Sequence, residues 1–301
     1  MKGLAVLQSL LMIALPCAAW PEQASAAKSR SLQKTSLTVT WEPSVIVNGS
    51  PCLFRVKSQR PLKSLSGIWQ RRQVFFDFDA KDGTWYGFGG VGIEAASMQH
   101  RLVLEATTAT GARTTFRYAV PLGRAKYQTI ALSVPRRFTE PDAETLARIE
   151  EEQAFKREVF ERITPARLWS ESFAPPIDSV ITDDFGVRRK FNRRVQSTHQ
   201  GLDLRADTGT PVGAMNGGTV IIAREMFYEG GFVVIDHGQG LLTLYLHLSE
   251  FRVREGDRVT KKQIIALSGG SGRTTAPHLH IGIRWQGIYV DPAALLKMQL
   301  P

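Results

Sequence analysis

The chain has 301 residues, enough for two domains, and its 43% hydrophobic and 22% charged residues exclude a disordered or fibrous protein. Its two cysteines, Cys17 and Cys52, exclude a disulfide-stapled scaffold. The net charge of +10 is concentrated: residues 28–140 hold 17 Lys and Arg against 7 Asp and Glu, residues 141–175 hold 5 against 8, and residues 176–301 hold 15 against 12.

Residues 1–26 read as a secretory signal peptide. Lys2 supplies the positive start, Gly3 to Trp20 carry no charge, and Ala24-Ser25-Ala26 offers a small-x-small cleavage site. Export is therefore expected, with an uncleaved membrane anchor as the alternative, because the charge-free run approaches the length of a membrane span. Cys17 follows Pro16 inside the leader. Removal of the leader leaves Cys52, in the apolar "PCLFRV", as a buried thiol.

Residues 28–140 are expected to form an accessory β domain of immunoglobulin-like sandwich type. Short β-rich runs ("SLTVTW", "CLFRVKS", "QVFFDFD", "RLVLEATT", "RTTFRYAV") alternate with turns such as "KDGTW" and "TATGAR". His100 is the one histidine there, and a structural role is expected for it. The basic excess suits anionic polymers or lipid head groups, and a solvated soluble surface is the plain alternative.

Residues 141–175 are expected to be a helical linker. "DAETLARIEEEQAFKREVFERI" lacks Gly and Pro, and Leu146, Ile149, Phe155, Val159 and Ile163 recur at three- to six-residue spacing, read as one amphipathic helix with a start at Thr139 or Glu140 before Pro141. "FAPPID" then ends the linker. Residues 176–301 return to β in "GTVIIAREM", "GFVVIDHG", "LLTLYLHL", "RVTKKQIIAL" and "PHLHIGIRW". The glycine-rich turns between these runs give an antiparallel domain without a helix-length pattern.

Five of the six histidines fall in this last region. In "HQGLD", His199, Gly201 and Asp203 share strand parity, so imidazole and carboxylate point one way, and Gly201 leaves room for a metal or substrate. In "PHLHIGI", His278 and His280 face one side while Leu279 and Ile281 turn to the core. In "LLTLYLHLSE", Thr243, Tyr245 and His247 share a face, and alone His247 reads as a core histidine. His237, flanked by Gly238 and Gly240, reads as a turn residue. A hydrolytic zinc site takes three His or carboxylate ligands and leaves one position open. His199, Asp203 and one of His278 and His280 supply that set, and the remaining imidazoles are free for proton transfer.

Together, "HQGLD", "GTPV", "VIDHGQGLLTLYLHLS", "VREGDRVTKKQIIALSG", "SGRTTAPHLHIGI" and "YVDP" resemble the lysostaphin/LytM-type zinc murein endopeptidase family over about residues 181–296. The resemblance implies a C-terminal β metallopeptidase domain of LytM type in a mainly β chain. It also implies one zinc per chain held by His199, Asp203 and His280, with His247 and His278 as the catalytic pair. The implied reaction is hydrolysis of peptide stems or cross-links of peptidoglycan by zinc-activated water, in the periplasm or at the cell envelope. Peptidoglycan peptides are the expected partner, anionic wall polymers a second one, and nucleic acid is not expected. Alternatives are a non-catalytic wall-binding regulator of other murein hydrolases and a zinc peptidase of Gly-rich proteins. The chain departs from the family in lacking a tyrosine shortly before His199, where it reads "KFNRRVQST". Either Arg193 or Arg194 takes that role, or His247 and His278 carry it alone. Asn192 loosely matches an asparagine of latent members, and Ala276 replaces a glycine.

Overall fold

A computed structural model describes residues 36–96, 99–132, 141–191 and 194–301. The leader, the expected domain start at residue 28, and Asn192 and Arg193 lie outside the described residues.

The first sheet comprises β1 (Leu37–Glu42), β2 (Ile46–Val47), β3 (Pro51–Ser58), β4 (Leu62–Trp69), β5 (Arg72–Asp79), β6 (Thr84–Gly90), β7 (Gln99–Thr108) and β8 (Arg113–Gly123). Period-two patterning explains it: on β7, Leu102, Leu104 and Ala106 are buried, while Arg101 and Glu105, of the opposite parity, are exposed. The pairing order is β1-β3-β6-β5-β4-β7-β8-β2, one nearly closed path. β5 makes the corner, since Arg72 to Phe75 pair with β4 and Phe76 to Asp79 pair with β6. The mainly β expectation holds, with the strands joined in one nearly closed path through β5.

β9 (Thr129–Leu132) follows, then the helix α1 (Ala143–Glu161). The helix starts later than Thr139 or Glu140, because the Asp142 carboxylate accepts the Thr145 N–H at 2.8 Å and caps it. Leu146 and Ile163 are exposed, so the expected stripe is only partly used.

The second sheet holds β10 (Ile181–Asp183), β13 (Leu202–Leu204), β14 (Pro211–Gly213), β15 (Gly218–Met226), β16 (Gly230–Asp236), β17 (Leu241–Phe251), β18 (Arg258–Val259), β19 (Ile264–Ser268), β20 (Leu279–Trp285) and β21 (Ile288–Val290). Its spine runs β10-β13-β20-β17-β16-β15-β18, antiparallel throughout. The hairpin β11 (Arg188–Phe191) and β12 (Arg194–Thr198) pairs with β9 in a separate three-stranded sheet. A short helix, α2 (Pro292–Lys297), closes the chain and is the one the sequence pattern did not suggest.

Every residue of β16 is buried, because the spine is covered on both faces. Inward, Val233, Ile235, Tyr245, Ile281 and Ile283 join a core that continues into the first sheet through Leu53, Phe54 and Trp69. Outward, Ile222, Phe232, Val234 and Leu244 pack beneath Phe155, Val159 and Phe160 of α1. The linker is therefore docked: Lys156 pairs with Glu229, and the Glu152 carboxylate accepts the Phe227 N–H at 2.8 Å. No described helix is long and apolar enough to cross a membrane.

Candidate metal centre

β13 and β20 run antiparallel with Asp203 directly opposite His280, which sets the centre. His280 Nδ1 lies 2.7 Å from Asp203 Oδ1, and His199 Nε2 lies 3.1 Å from both of those atoms. This is a His-Asp-His group whose donor atoms converge on one point. Four donors at tetrahedral zinc distances of about 2.0–2.2 Å are a little over 3 Å apart, so this triangle fits a zinc ion.

Each donor is oriented from behind. The His199 Nδ1–H donates to the Asp184 carbonyl at 2.8 Å, which fixes the tautomer and turns the Nε2 lone pair inward. The segment around it is pinned by Gly186 N to His199 O and His199 N to Val187 O, both 2.8 Å. Asp203 Oδ2 accepts from Arg189 Nη2 at 3.2 Å, and Arg189 also pairs with Asp183 at 2.6 Å. Burial raises the Asp203 pKa, but hydrogen bonds from His199, His278 and His280 outweigh it and hold the carboxyl well below its ordinary range. Burial lowers His280.

Gly201 has a different role from the one its spacing suggested. The space above it is filled: a Cβ there would lie well under 3.0 Å from His280 Nε2 and the Ile281 carbonyl. It allows β13 and β20 to approach with the His280 ring between them.

His278 precedes β20 and bridges to Gly269. Its Nδ1–H donates to the Ala276 carbonyl at 2.9 Å, leaving Nε2 facing Asp203 Oδ1 at 3.6 Å. Burial pulls its pKa down, and the Asp203 carboxylate more than offsets that, leaving the imidazole above its usual range.

His247 reaches the centre by a backbone irregularity. By parity it would point with Thr243 and Tyr245, which instead turn into the core, where the Tyr245 hydroxyl accepts the Met215 N–H at 2.8 Å. The register of β17 against β16 slips between Val233↔Tyr245 and Gly231↔Leu248, so Leu246 and His247 oppose the single residue Phe232. This β-bulge, with His247 in the left-handed region at φ 63°, re-aims the imidazole. Its ring sits 4.8 Å from His278 and 6.1 Å from His280. The expectation that Thr243, Tyr245 and His247 share a face is corrected by the bulge. The Nδ1–H of His247 donates to the Ser271 carbonyl at 2.8 Å, and burial pushes its pKa down to about 3.

Of the five expected residues, His199, His247 and His280 line a cleft of about 700 Å³ that α1 also lines through Gln153, Lys156 and Phe160, while Asp203 and His278 adjoin it through His280 and His247. Sequence reading gave no role to Arg189, Ser271 or Arg273. His237 is no simple turn residue: it is buried, its Nδ1–H donates to the Gly217 carbonyl at 2.6 Å, and its Nε2 lies 2.8 Å from the Thr243 hydroxyl. Arg194, one candidate for the missing tyrosine, has a backbone paired with Phe191 in the β11–β12 hairpin.

An antiparallel β sheet thus carries a convergent His-Asp-His group that could hold a metal ion, with two further imidazoles beside it. Residues 197–292 match the model of peptidase family M23. The chain is similar to peptidoglycan DD-endopeptidase ShyA of Vibrio cholerae, 39% identical over 130 residues, which are 42% of this chain and 29% of that protein. It is also similar to DD-carboxypeptidase/endopeptidase Mpg of Neisseria meningitidis, 36% identical over 121 residues, 40% of this chain and 28% of that protein. The chain thus spans less than a third of these curated relatives. A Pseudomonas aeruginosa crystal structure assigned to peptidase M23 aligns over 83% of this chain and 94% of its own, with TM-score 0.64 and 25% identity. That alignment extends well beyond the M23 span.

Proposed function

We propose that the chain is an exported zinc metalloendopeptidase that hydrolyses peptide stems or cross-links of bacterial peptidoglycan in the periplasm or at the cell envelope. The observation that carries this reading is the meeting of three metal-donor atoms with two further imidazoles. The substrate class is supported by the names of the similar proteins, a peptidoglycan DD-endopeptidase and a DD-carboxypeptidase/endopeptidase.

In this reading His199, Asp203 and His280 hold one zinc. The chemistry supplied by the bound metal is Lewis-acid polarisation of a carbonyl and a water pKa brought towards ~7. The remaining work belongs to His247 and His278. Each has its Nδ1–H committed to a backbone carbonyl, Ser271 and Ala276 respectively, so each presents Nε2 to the centre. One Nε2 takes the proton from the attacking water and the other returns a proton to the leaving amine. The basic first sheet rests on anionic wall polymers.

The test separates ligands from proton carriers. His199→Ala, Asp203→Ala and His280→Ala should lose zinc and activity together. His247→Ala and His278→Ala should keep zinc while turnover on cross-linked muropeptides falls by roughly 10²–10⁴. Metal analysis beside chromatography of muropeptides reads both. Zinc retained in His280→Ala and lost in His278→Ala would reverse the assignment.

A further inference from the structure

The cleft that holds the metal centre is strongly basic. Lys156, Arg157, Arg189, Arg273 and Arg284 line it against a single acid, Glu229. Most of these cations have work already. Lys156 is paired with Glu229. Arg284 lies 4.5 Å over the Phe160 ring and donates to the Phe160 carbonyl at 3.3 Å, holding α1. Arg189 is engaged with Asp183 and Asp203. Arg157 is exposed on the helix, with no ring contact or hydrogen bond to its side chain among the described residues.

Arg273 is exposed too, but its head group is held against a ring. Its guanidinium lies 4.5 Å over the Tyr228 ring and makes no ion pair or side-chain hydrogen bond among the described residues. Its backbone is nevertheless fixed. The Arg273 N–H donates to the Tyr228 carbonyl at 2.9 Å, and Ser271 Oγ donates to the Leu248 carbonyl and accepts from Gly231 N, each at 2.8 Å. Between them Gly272, at φ 72°, packs so closely on Gly230 that a side chain would not fit. The same short loop supplies the Ser271 carbonyl that orients His247. A cation with no direct ion pair, its nearest acid Glu229 acting only at a distance, thus sits on the same short loop that orients His247.

A guanidinium covered on one face by an aromatic ring keeps its edge donors free, and their fork matches a carboxylate. We propose that Arg273 is a specificity-determining residue that binds a free carboxylate of the substrate peptide close to the scissile bond, so that the cleft prefers acidic wall peptides over their amidated forms. This rests on the reading of the cleft as a wall-peptide site.

The experiment uses the full zinc-loaded chain and two cross-linked peptides that differ only in whether the side-chain carboxylates are free or amidated. Binding and kcat/KM are measured for wild type, Arg273→Gln and Arg273→Lys, with zinc content and unfolding midpoint recorded for each. Wild type should favour the free carboxylate by roughly 10- to 100-fold, as a charge-assisted hydrogen bond implies. The ratio should collapse towards one in Arg273→Gln and be partly restored in Arg273→Lys, with zinc unchanged. A binding preference that vanishes in Arg273→Gln supports the proposal even without cleavage, in which case the hydrolase reading alone falls. Equal treatment of both peptides by wild type, or a preference kept in Arg273→Gln, overturns the proposal. Cleavage of both peptides in that case leaves the hydrolase reading standing.

Discussion

Gly201 and His237 show how single residues serve this centre without touching a substrate. Adding one methyl at Gly201 drives a carbon into the His280 ring and the Ile281 carbonyl, both held by the β13–β20 pairing. Gly201→Ala should therefore weaken zinc binding by roughly the 10–100-fold seen when ligand-supporting groups are removed. Chelator competition measures this, and wild-type affinity in the variant would show that the strands can part. His237 lies 5.0 Å from Phe173 and is buried, and burial lowers its pKa to about 4. The unfolded imidazole takes its proton near pH ~6.5. Between there and about 4 the unfolded state gains a proton that the folded state refuses. Stability therefore falls as pH drops through that window, by on the order of 3 kcal/mol, and this contribution changes no further below it. Denaturant midpoints at pH 7 and pH 4.5 should converge more in His237→Gln than in wild type; an equal loss in both would acquit His237. The ligand candidates were legible because short motifs carry them at fixed spacing. Arg189 was not, because its contact with Asp203 exists only after β11 has been placed beside β13.

At the level of elements, two features changed what the spacing implied. A period-two reading of β17 cannot register an inserted residue, so it gave His247 the wrong face, and only the pairing with β16 exposes the bulge. The helix α1 was readable as a helix but not as a wall of the cleft. Its apolar residues are few, and its attachment depends on charges and rings from β15 to β20 that sequence distance hides. β9 was missed for a similar reason: "TIAL" is too short to stand out, and it is a strand because β11 pairs with it in parallel. α2 was signalled only by Asp291 before Pro292, a cap and a first-turn proline over six residues. The 19-residue α1 buries little of its own surface, Ile149 being its buried residue, so its place depends on its docking. Phe160 is the firmest point, packed on the outer cluster and stacked beneath Arg284. Phe160→Ala should cost about 2 kcal/mol, less than a fully buried phenylalanine, and speed amide exchange in α1 more than in β16. Unchanged exchange in α1 would place its anchor elsewhere.

For the whole molecule, the first sheet is both a support and a charged surface. Arg72 Nε donates to the Gln286 carbonyl and Gln286 Nε2 to the Gln73 carbonyl, each at 2.7 Å, next to the β20–β21 turn. Gly90 lets Val290 pack so closely that a Cβ at Gly90 would lie 2.8 Å from it. A composition reading placed the basic excess in residues 28–140 but could not say where on that region it sits. The pairing of β7 with β8 answers in part. Val103 opposes Arg117 and Thr107 opposes Arg113, so with Arg101 and Glu105 these residues share the outer face of the sheet, where all three arginines are exposed. Three cations against one acid on a solvated sheet face make a stripe suited to a polyanion. Exposed charges of this kind are screened over ~8–10 Å near physiological ionic strength, so any binding they support must weaken with salt. Retention of the full chain on an anionic wall polymer should therefore fall steeply as salt rises from low to near-physiological concentration. Arg101→Glu with Arg117→Glu should reduce it already at low salt, while zinc content and the unfolding midpoint stay at wild-type values. Retention that ignores both salt and the double charge reversal would mean that the stripe is only a solvated face.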